Sequence, residues 1–307
     1  MEISVIFSQM VQLFLILFIG YVLFKIDVFN KDTNRRLTKL VLYIALPSRI
    51  LSSVLSQTER PPENLVITTF VIAIIMYLAL PLMSFLLVKL LRLPKADQGI
   101  YMYMSTYGNV GFMGFPIIEA VFGEEALFYA AIFNIIFNIS CFSVGILILH
   151  YGSSEKASVK WKALITPNTI VATTSIIIYA LNLKFPAMIA NTVQTLGSLT
   201  TPLAMMLIGS TLATMNVRDI FSNRHIYPFA IIRQFILPLL LWPLLSFLIP
   251  DRFLLGITFM LFIMPAANNC VMMAIRYDAN EQLAAKTVFI TTVMTIVTIP
   301  LLLYICY

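Results

Sequence analysis

The chain has 307 residues, of which 60% are hydrophobic and only 11% charged. A mean hydropathy of +0.93 is more apolar surface than a water-soluble domain can bury, so the class is integral membrane protein. The formal charge of +6 does not point to nucleic acid, because the cations are spread over the connections between apolar segments instead of forming one patch.

A membrane-crossing helix takes roughly 20 apolar residues. Ten segments answer to that: 4–24, 36–56, 65–91, 99–122, 125–150, 164–182, 187–215, 226–249, 253–277 and 281–305. The first follows Met1 and Glu2 with no basic lead-in and no small-residue cleavage site, so it is expected to be retained and not removed as a signal peptide. The second carries Arg49 beside Pro47 and Ser48, and the third holds Leu80-Pro81-Leu82. The fourth is broken by Tyr107-Gly108-Asn109-Val110-Gly111 and Gly114-Phe115-Pro116. The fifth places Asn134 and Asn138 on one helix face. A polar linker then separates the two halves. The seventh span holds Thr200-Thr201-Pro202 and the eighth Arg233 and Leu237-Pro238-Leu239. The ninth is broken by Pro265-Ala266-Ala267-Asn268-Asn269, and the tenth has Thr291 and Thr295 on one face.

Charge sets the orientation. One series of connections carries Lys25, Lys31, Arg35, Arg36 and Lys39, then Lys89, Arg92 and Lys95, then Lys156, Lys160 and Lys162, then Arg218 and Arg224, then Arg276 and Lys286. The alternate series carries Arg60, Lys184 and Arg252. The positive-inside rule places the first series in the cytoplasm and both termini outside.

The two halves repeat. Pro47 matches Pro202, Pro81 matches Pro238, the two broken spans follow in step, and Asn134 and Asn138 match Thr291 and Thr295, all about 155 residues apart. The expected architecture is an all-α membrane protein of ten transmembrane helices in two five-helix repeats, with residues 1–150 and 164–307 flanking a cytoplasmic linker at 151–163. Five is odd, so the second repeat is inverted. Inverted repeats with broken helices four and nine crossing at the midplane are a transporter architecture, with the substrate site at the breaks.

The breaks carry the chemistry. Gly108, Gly111 and Gly114 let the backbone leave helical geometry, while Pro116, Pro265, Pro47 and Pro202 kink or interrupt their spans. Irregular backbone at membrane depth survives only where protein or a water-filled cavity satisfies it. A half-helix N-terminus there carries about half a positive charge and favours an anion, a carboxylate above all. Asn109, Asn268 and Asn269 add amide donors, and Asn138 joins Gly108 and Gly111 among the expected substrate contacts. The bland alternative is that the asparagines only satisfy freed backbone groups. No Asp or Glu lies near a span centre to relay protons, and Glu119 reads as an interfacial or outer-vestibule residue. Arg49 and Arg233 lie inside spans. Each is either a counter-charge on an anion path or an Arg that snorkels or binds the carbonyls of a broken helix, and the second reading is taken for both. His150 and His225 read as interfacial, most of the methionines as packing, and Cys141, Cys270 and Cys306 as packing without metal-ligand spacing.

These motifs resemble the auxin efflux carrier family, which includes bacterial malate and malonate permease-like proteins and the plant PIN-type carriers. The likeness rests on Tyr107 to Pro116, on Pro265 to Asn269, and on Thr166-Pro167-Asn168-Thr169, which looks like the family's Asn-Pro-x-x element with Thr166 in place of Asn. The resemblance implies a scaffold of helices 1, 2, 6 and 7, a moving transport domain of helices 3–5 and 8–10, a homodimer, and elevator-type export of a carboxylate. It implies that Asn109 and one of Asn268 and Asn269 contact the carboxylate. The long cytoplasmic loop of many plant members is absent. The related bile-acid-type sodium symporters share the crossover plan.

The expected function is therefore a secondary carrier of a small organic anion in the cell membrane, among lipid, with no cofactor, no metal and no nucleic acid. The coupling ion, H⁺ or Na⁺, stays open. The alternatives are a sodium-coupled organic anion symporter on the same fold and, further off, a channel. An enzyme is not expected, since the chain has no nucleophile elbow, no His-Glu-x-x-His and no intramembrane aspartate pair.

Overall fold

The computed structural model describes residues 3–55, 61–151, 166–214, 224–277 and 279–306. The linker expected at 151–163 lies outside the described residues beyond Tyr151. Among the described residues every regular element is a helix, and the one β-type feature is an isolated bridge between Gly108 and Ala266.

In chain order the helices are α1 (Ile3–Lys25), α2 (Lys31–Leu40), α3 (Leu46–Leu55), α4 (Glu63–Leu90), α5 (Gln98–Thr106), α6 (Phe115–Phe122), α7 (Ala126–Cys141), α8 (Val144–Leu149), α9 (Pro167–Ala180), α10 (Ala187–Ser198), α11 (Thr200–Ala213), α12 (Ile226–Ile231), α13 (Leu237–Leu248), α14 (Arg252–Phe262), α15 (Asn269–Arg276) and α16 (Glu281–Cys306). Among the described residues five continuous stretches are long and apolar enough to cross a membrane: Lys31–Leu55, Glu63–Leu90, Ala187–Ala213, Ile226–Leu248 and Glu281–Cys306. Their outer faces are apolar, with Leu78 67% exposed and Phe247 82% exposed, as lipid-facing helices require.

Local chemistry explains where these helices start and bend. Asn30 caps α2 by accepting the Thr33 N–H at 2.9 Å. Thr166 caps α9 by accepting the Thr169 N–H at 3.1 Å, with Pro167 in the first turn, where a missing N–H costs nothing. Asp251 caps α14 through the Leu254 N–H at 2.7 Å. Among the described residues three π-helical turns occur, at Val41–Ala45, Val110–Gly114 and Ile232–Ile236. Each ends two residues before a proline: Pro47, Pro116 and Pro238. Proline has no N–H for the carbonyl four residues back and its ring presses on that carbonyl, so the turn widens to let it out. Span five is interrupted, which its sequence did not announce: α7 ends at Cys141, and α8 restarts at Val144.

The chain divides into two compact units. One comprises 1–69, 111–135 and 165–216, and the other 70–110, 136–164 and 217–307. In the first, α1 lies against α11. The contact is backbone to backbone: a Cβ on Gly20 would overlap the main chain of Met206, and one on Gly209 would overlap the carbonyl of Leu17. Small residues that let helices touch take the place of the hydrophobic drive that lipid removes. In the same unit α10 packs on α3, and a Cβ on Gly197 would stand 3.0 Å from Arg49 Cα.

The first unit also holds a buried charge cluster. Arg49 is 6% exposed. Its Nε donates to Glu119 Oε2 at 3.0 Å, its Nη2 to Glu119 Oε1, and its Nη1 to Glu124 Oε1 at 3.0 Å. Ser52 Oγ donates to Glu124 at 3.0 Å, and Gln194 and Thr201 complete the two carboxylates at 3.4 Å. This corrects the sequence reading of Arg49, which neither snorkels nor binds helix carbonyls but pairs with Glu119 and Glu124. Gly123, at φ 87 and ψ 173, occupies a region essentially reserved for glycine and turns the chain so that Glu124 follows α6.

Candidate functional site

In the second unit the two breaks lie side by side. Helix α5 stops at Thr106 because Tyr107 is extended, at φ −109 and ψ 103. Helix α14 stops at Phe262, and α15 begins at Asn269. The open segments pair antiparallel. The Asn109 N–H donates to the Pro265 carbonyl at 2.8 Å, and the Ala267 N–H donates to the Tyr107 carbonyl at 3.1 Å. Two interrupted helices thus satisfy part of each other's freed backbone, which is what buried irregular backbone needs.

The surroundings hold that pairing in place. Tyr107 is fully buried, and its hydroxyl donates to the Ser140 carbonyl at 2.9 Å. Its ring meets those of Tyr103, Tyr77 and Phe137 at 4.7, 6.4 and 5.7 Å. Thr291 on α16 accepts the Ala266 N–H at 3.2 Å. At the other end of the break, Gln234 donates to the Ile263 carbonyl at 2.6 Å, and Arg233 to the Met264 carbonyl at 2.9 Å. These two side chains, from the π-helical turn Ile232–Ile236, bind the carbonyls of the two residues that follow α14, at the helix end where a cation is favoured. The carbonyl-binding reading of Arg233 therefore holds.

The structure gathers some of the expected residues and separates others. Gly108 and Asn109 are buried in the paired segment, with Pro265 opposite. Asn268 is half-buried at the N-cap of α15, where its side chain makes no capping bond. Asn269 is half-buried at the first position of α15, and its Nδ2 donates to Cys141 Sγ at 3.4 Å. Its Oδ1 is buried without a partner. Cys141 also meets the Tyr103 hydroxyl at 2.8 Å. Asn138 is buried one turn earlier on α7, in the same unit. Gly111, Gly114, Pro116, Pro47 and Pro202 belong to the first unit.

Gly108 lies in the non-helical break, and Gly111 and Gly114 lie in the π-helical turn that follows it, so all three stand where the α-helix is interrupted, none of them at positive φ. Gly108 serves for its small size, since a Cβ there would stand 3.2 Å from Met264 Cβ. Gly111 has room, with Leu46 Cδ2 at 3.6 Å. Sequence reasoning missed Gln234 and Tyr103, and named Tyr107 only as part of the break motif. The one signal that could have raised them is a run of polar and aromatic side chains facing a break within an apolar span.

Comparison with known proteins agrees with this architecture. The pattern of the family described as membrane transport protein matches residues 5–160 and again residues 154–303. An uncharacterised transporter of Methanothermobacter thermautotrophicus is 24% identical over 296 residues, which is 96% of each chain. An uncharacterised transporter of Methanocaldococcus jannaschii is 24% identical over 292 residues, 94% of each chain. A protein of Rhizobium meliloti whose name provisionally assigns it to malonate transport is 24% identical over 300 residues, covering 94% of this chain and 92% of its own. Apolar helices of crossing length and a family match over nearly the whole chain lead to one conclusion: this is a multi-pass membrane transporter, and it belongs to the membrane transport protein family, that of the auxin efflux carriers.

Proposed function

We propose that the chain is a secondary carrier for a small organic carboxylate, bound where the breaks of spans four and nine cross. The observation that carries this reading is the antiparallel pairing of Asn109 with Pro265 and of Ala267 with Tyr107. It sets Asn109 opposite Pro265 and Tyr107 opposite Ala267, which leads directly into Asn268, Asn269 and the N-terminus of α15. A half-helix N-terminus plus amide side chains favours an anion over a cation or a neutral solute. In this reading the chain has ten spans in two inverted repeats, with both termini extracytoplasmic. A transport domain of helices 3–5 and 8–10 moves as an elevator against a scaffold of helices 1, 2, 6 and 7, which also forms a homodimer. The relative named for malonate transport adds support for a carboxylate.

Binding measured by calorimetry on purified protein tests it. Asn109→Ala is expected to weaken carboxylate binding by about 1–3 kcal/mol, the cost of removing one hydrogen-bond donor to a charged group. Asn109→Asp is expected to weaken it further, because a carboxylate at 109 repels the substrate as well as losing the donor. Tighter binding to the Asp variant than to the Ala variant would overturn the anion assignment in favour of a cation site. The same titrations with and without sodium, and uptake into proteoliposomes under a pH or sodium gradient, identify the coupling ion.

A further inference from the structure

Helix α2 presents four cations that no carboxylate of the described chain holds. Lys31, Arg35, Arg36 and Lys39 are exposed, and among the described residues none of them forms an ion pair. Lys25, by contrast, is taken up: its Nζ donates to the Ala213 carbonyl at 3.2 Å. Asp32, the acidic residue of α2, offsets one of the four charges at most. The arrangement works against the helix. Lys31 and Arg35, and again Arg35 and Lys39, are like charges four residues apart, and Lys31 stands at the positive end of the helix dipole. An anion from outside the chain relieves both strains.

The inner face of α2 fixes where these cations point. Asn34 accepts a hydrogen bond from Ser210 Oγ of α11 at 2.8 Å, and Val41 and Ala45 are buried in the π-helical turn that follows. Lys31, Arg35 and Lys39 share the outer face, within about 80° of one another at 3.6 residues per turn. The same line runs on to Tyr43, four residues beyond Lys39 and 64% exposed, with exposed Leu40 and Ile44 beside it. This face is cationic at one end and apolar at the other, with an aromatic ring at the join, the order a helix shows on passing from headgroups into hydrocarbon.

Length gives the same placement. Lys31–Leu55 is one continuous stretch of 25 residues, about 37 Å at 1.5 Å per residue, against a hydrocarbon core of about 30 Å. The excess of about five residues falls at the polar end, which puts Lys31 to Arg35 at headgroup depth, and Lys39 reaches that depth along its long side chain. The turn before α2 exposes Ile26 and Val28, apolar anchors of the kind that hold interfacial segments in a bilayer surface. Nucleic acid or an acidic protein would approach such a face from water. Phospholipid headgroups already lie beside it.

We infer that the face of α2 formed by Lys31, Arg35, Arg36 and Lys39 is a binding site for the phosphate headgroups of anionic phospholipid. Native mass spectrometry of the full-length protein in detergent, titrated with phosphatidylglycerol or with phosphatidylcholine of the same acyl chains, tests it. The parent chain is expected to bind phosphatidylglycerol at least about 10-fold more tightly than phosphatidylcholine. Arg35→Gln combined with Lys39→Gln is expected to lower phosphatidylglycerol affinity about 10- to 30-fold and to leave phosphatidylcholine within about 3-fold, the effect of removing two basic residues from an anionic surface. Lys31→Gln combined with Arg36→Gln is the second test should that variant not fold, with a loss in the same range. Arg35→Lys combined with Lys39→Arg keeps both charges and is expected to keep the preference.

Arg92→Gln combined with Lys95→Gln removes the same charge from exposed positions between α4 and α5. It is expected to change phosphatidylglycerol affinity less than about 3-fold, well short of the change for two basic residues at the site. An equal loss in that variant would mean general attraction to the whole protein, and would overturn the site. Equal affinity of the parent chain for the two lipids would overturn it too. So would binding of glycerol phosphate as tightly as the lipid, which would mean a site for a soluble phosphate ester. A parent dimer that becomes a monomer in the Arg35→Gln, Lys39→Gln variant, with phosphatidylglycerol binding intact, would make this face a contact between copies of the chain instead.

Discussion

At the scale of single residues, the sharpest lesson is that an arginine in an apolar span takes its meaning from its partner. Arg49 and Arg233 look alike in the sequence. In the structure Arg49 is shared between two carboxylates, while Arg233 meets carbonyl and amide oxygens. Arg49→Met would leave Glu119 and Glu124 together with no cation, and is expected to destabilise the protein by about 3 kcal/mol, the lower end for breaking a buried pair, because both carboxylate side chains keep some exposure, 27% and 28%. The Arg49→Met, Glu119→Gln double variant should recover part of that loss, as interacting residues are not additive. Thermal melting in detergent reads both. An additive result would mean that Arg49 and Glu119 are not energetically coupled.

Helices in lipid gain little from apolar burial, so at the scale of elements the close contacts decide stability. The α1–α11 contact depends on Gly20 and Gly209, where any Cβ would overlap main-chain atoms of the facing helix. Gly209→Leu is expected to force these helices apart and to cost about 1–3 kcal/mol, the usual range for overpacking. Gly111→Ala is expected to be close to neutral, because its Cβ would meet Leu46 Cδ2 at an ordinary 3.6 Å. Melting temperatures of the two variants test the contrast, and a larger loss at Gly111 would contradict this packing. The π-helical turns belong to the same scale. Each of the three precedes a proline, so the mechanism is visible in the residue order once known. Pro81, Pro243 and Pro300 sit within α-helices, so a proline alone does not predict the turn; the packing around it selects which carbonyl is released.

At the scale of the whole molecule, the distribution of Lys and Arg predicts the orientation. Lys95 should face the cytoplasm and Lys184 the outside. Single cysteines at these positions, in a chain whose partly exposed Cys306 is replaced, would be labelled by an impermeant thiol reagent in intact cells. Cys141 and Cys270 are buried and need no replacement. Labelling of Lys184→Cys and not of Lys95→Cys is expected, and the reverse pattern would invert the topology.

Composition, hydropathy and residue order by themselves determined that this is a helical membrane protein, that spans four and nine are interrupted, and which motifs tie it to its family. These properties are local or additive: a run of apolar residues, a proline or a glycine acts wherever it stands in the chain. Tertiary structure alone decided the partners. Arg49 finds Glu119 across 70 residues, Asn269 finds Cys141 across 128, and Arg233 finds Met264 across 31. Of the expected site residues, it was folding that set Asn109 against Pro265 and placed Gly111, Gly114 and Pro116 in the other unit. The physical reason is the range of the interactions: helix periodicity says which face a residue occupies, but a hydrogen bond requires two atoms within about 3 Å, and only the packing of distant segments brings such atoms together.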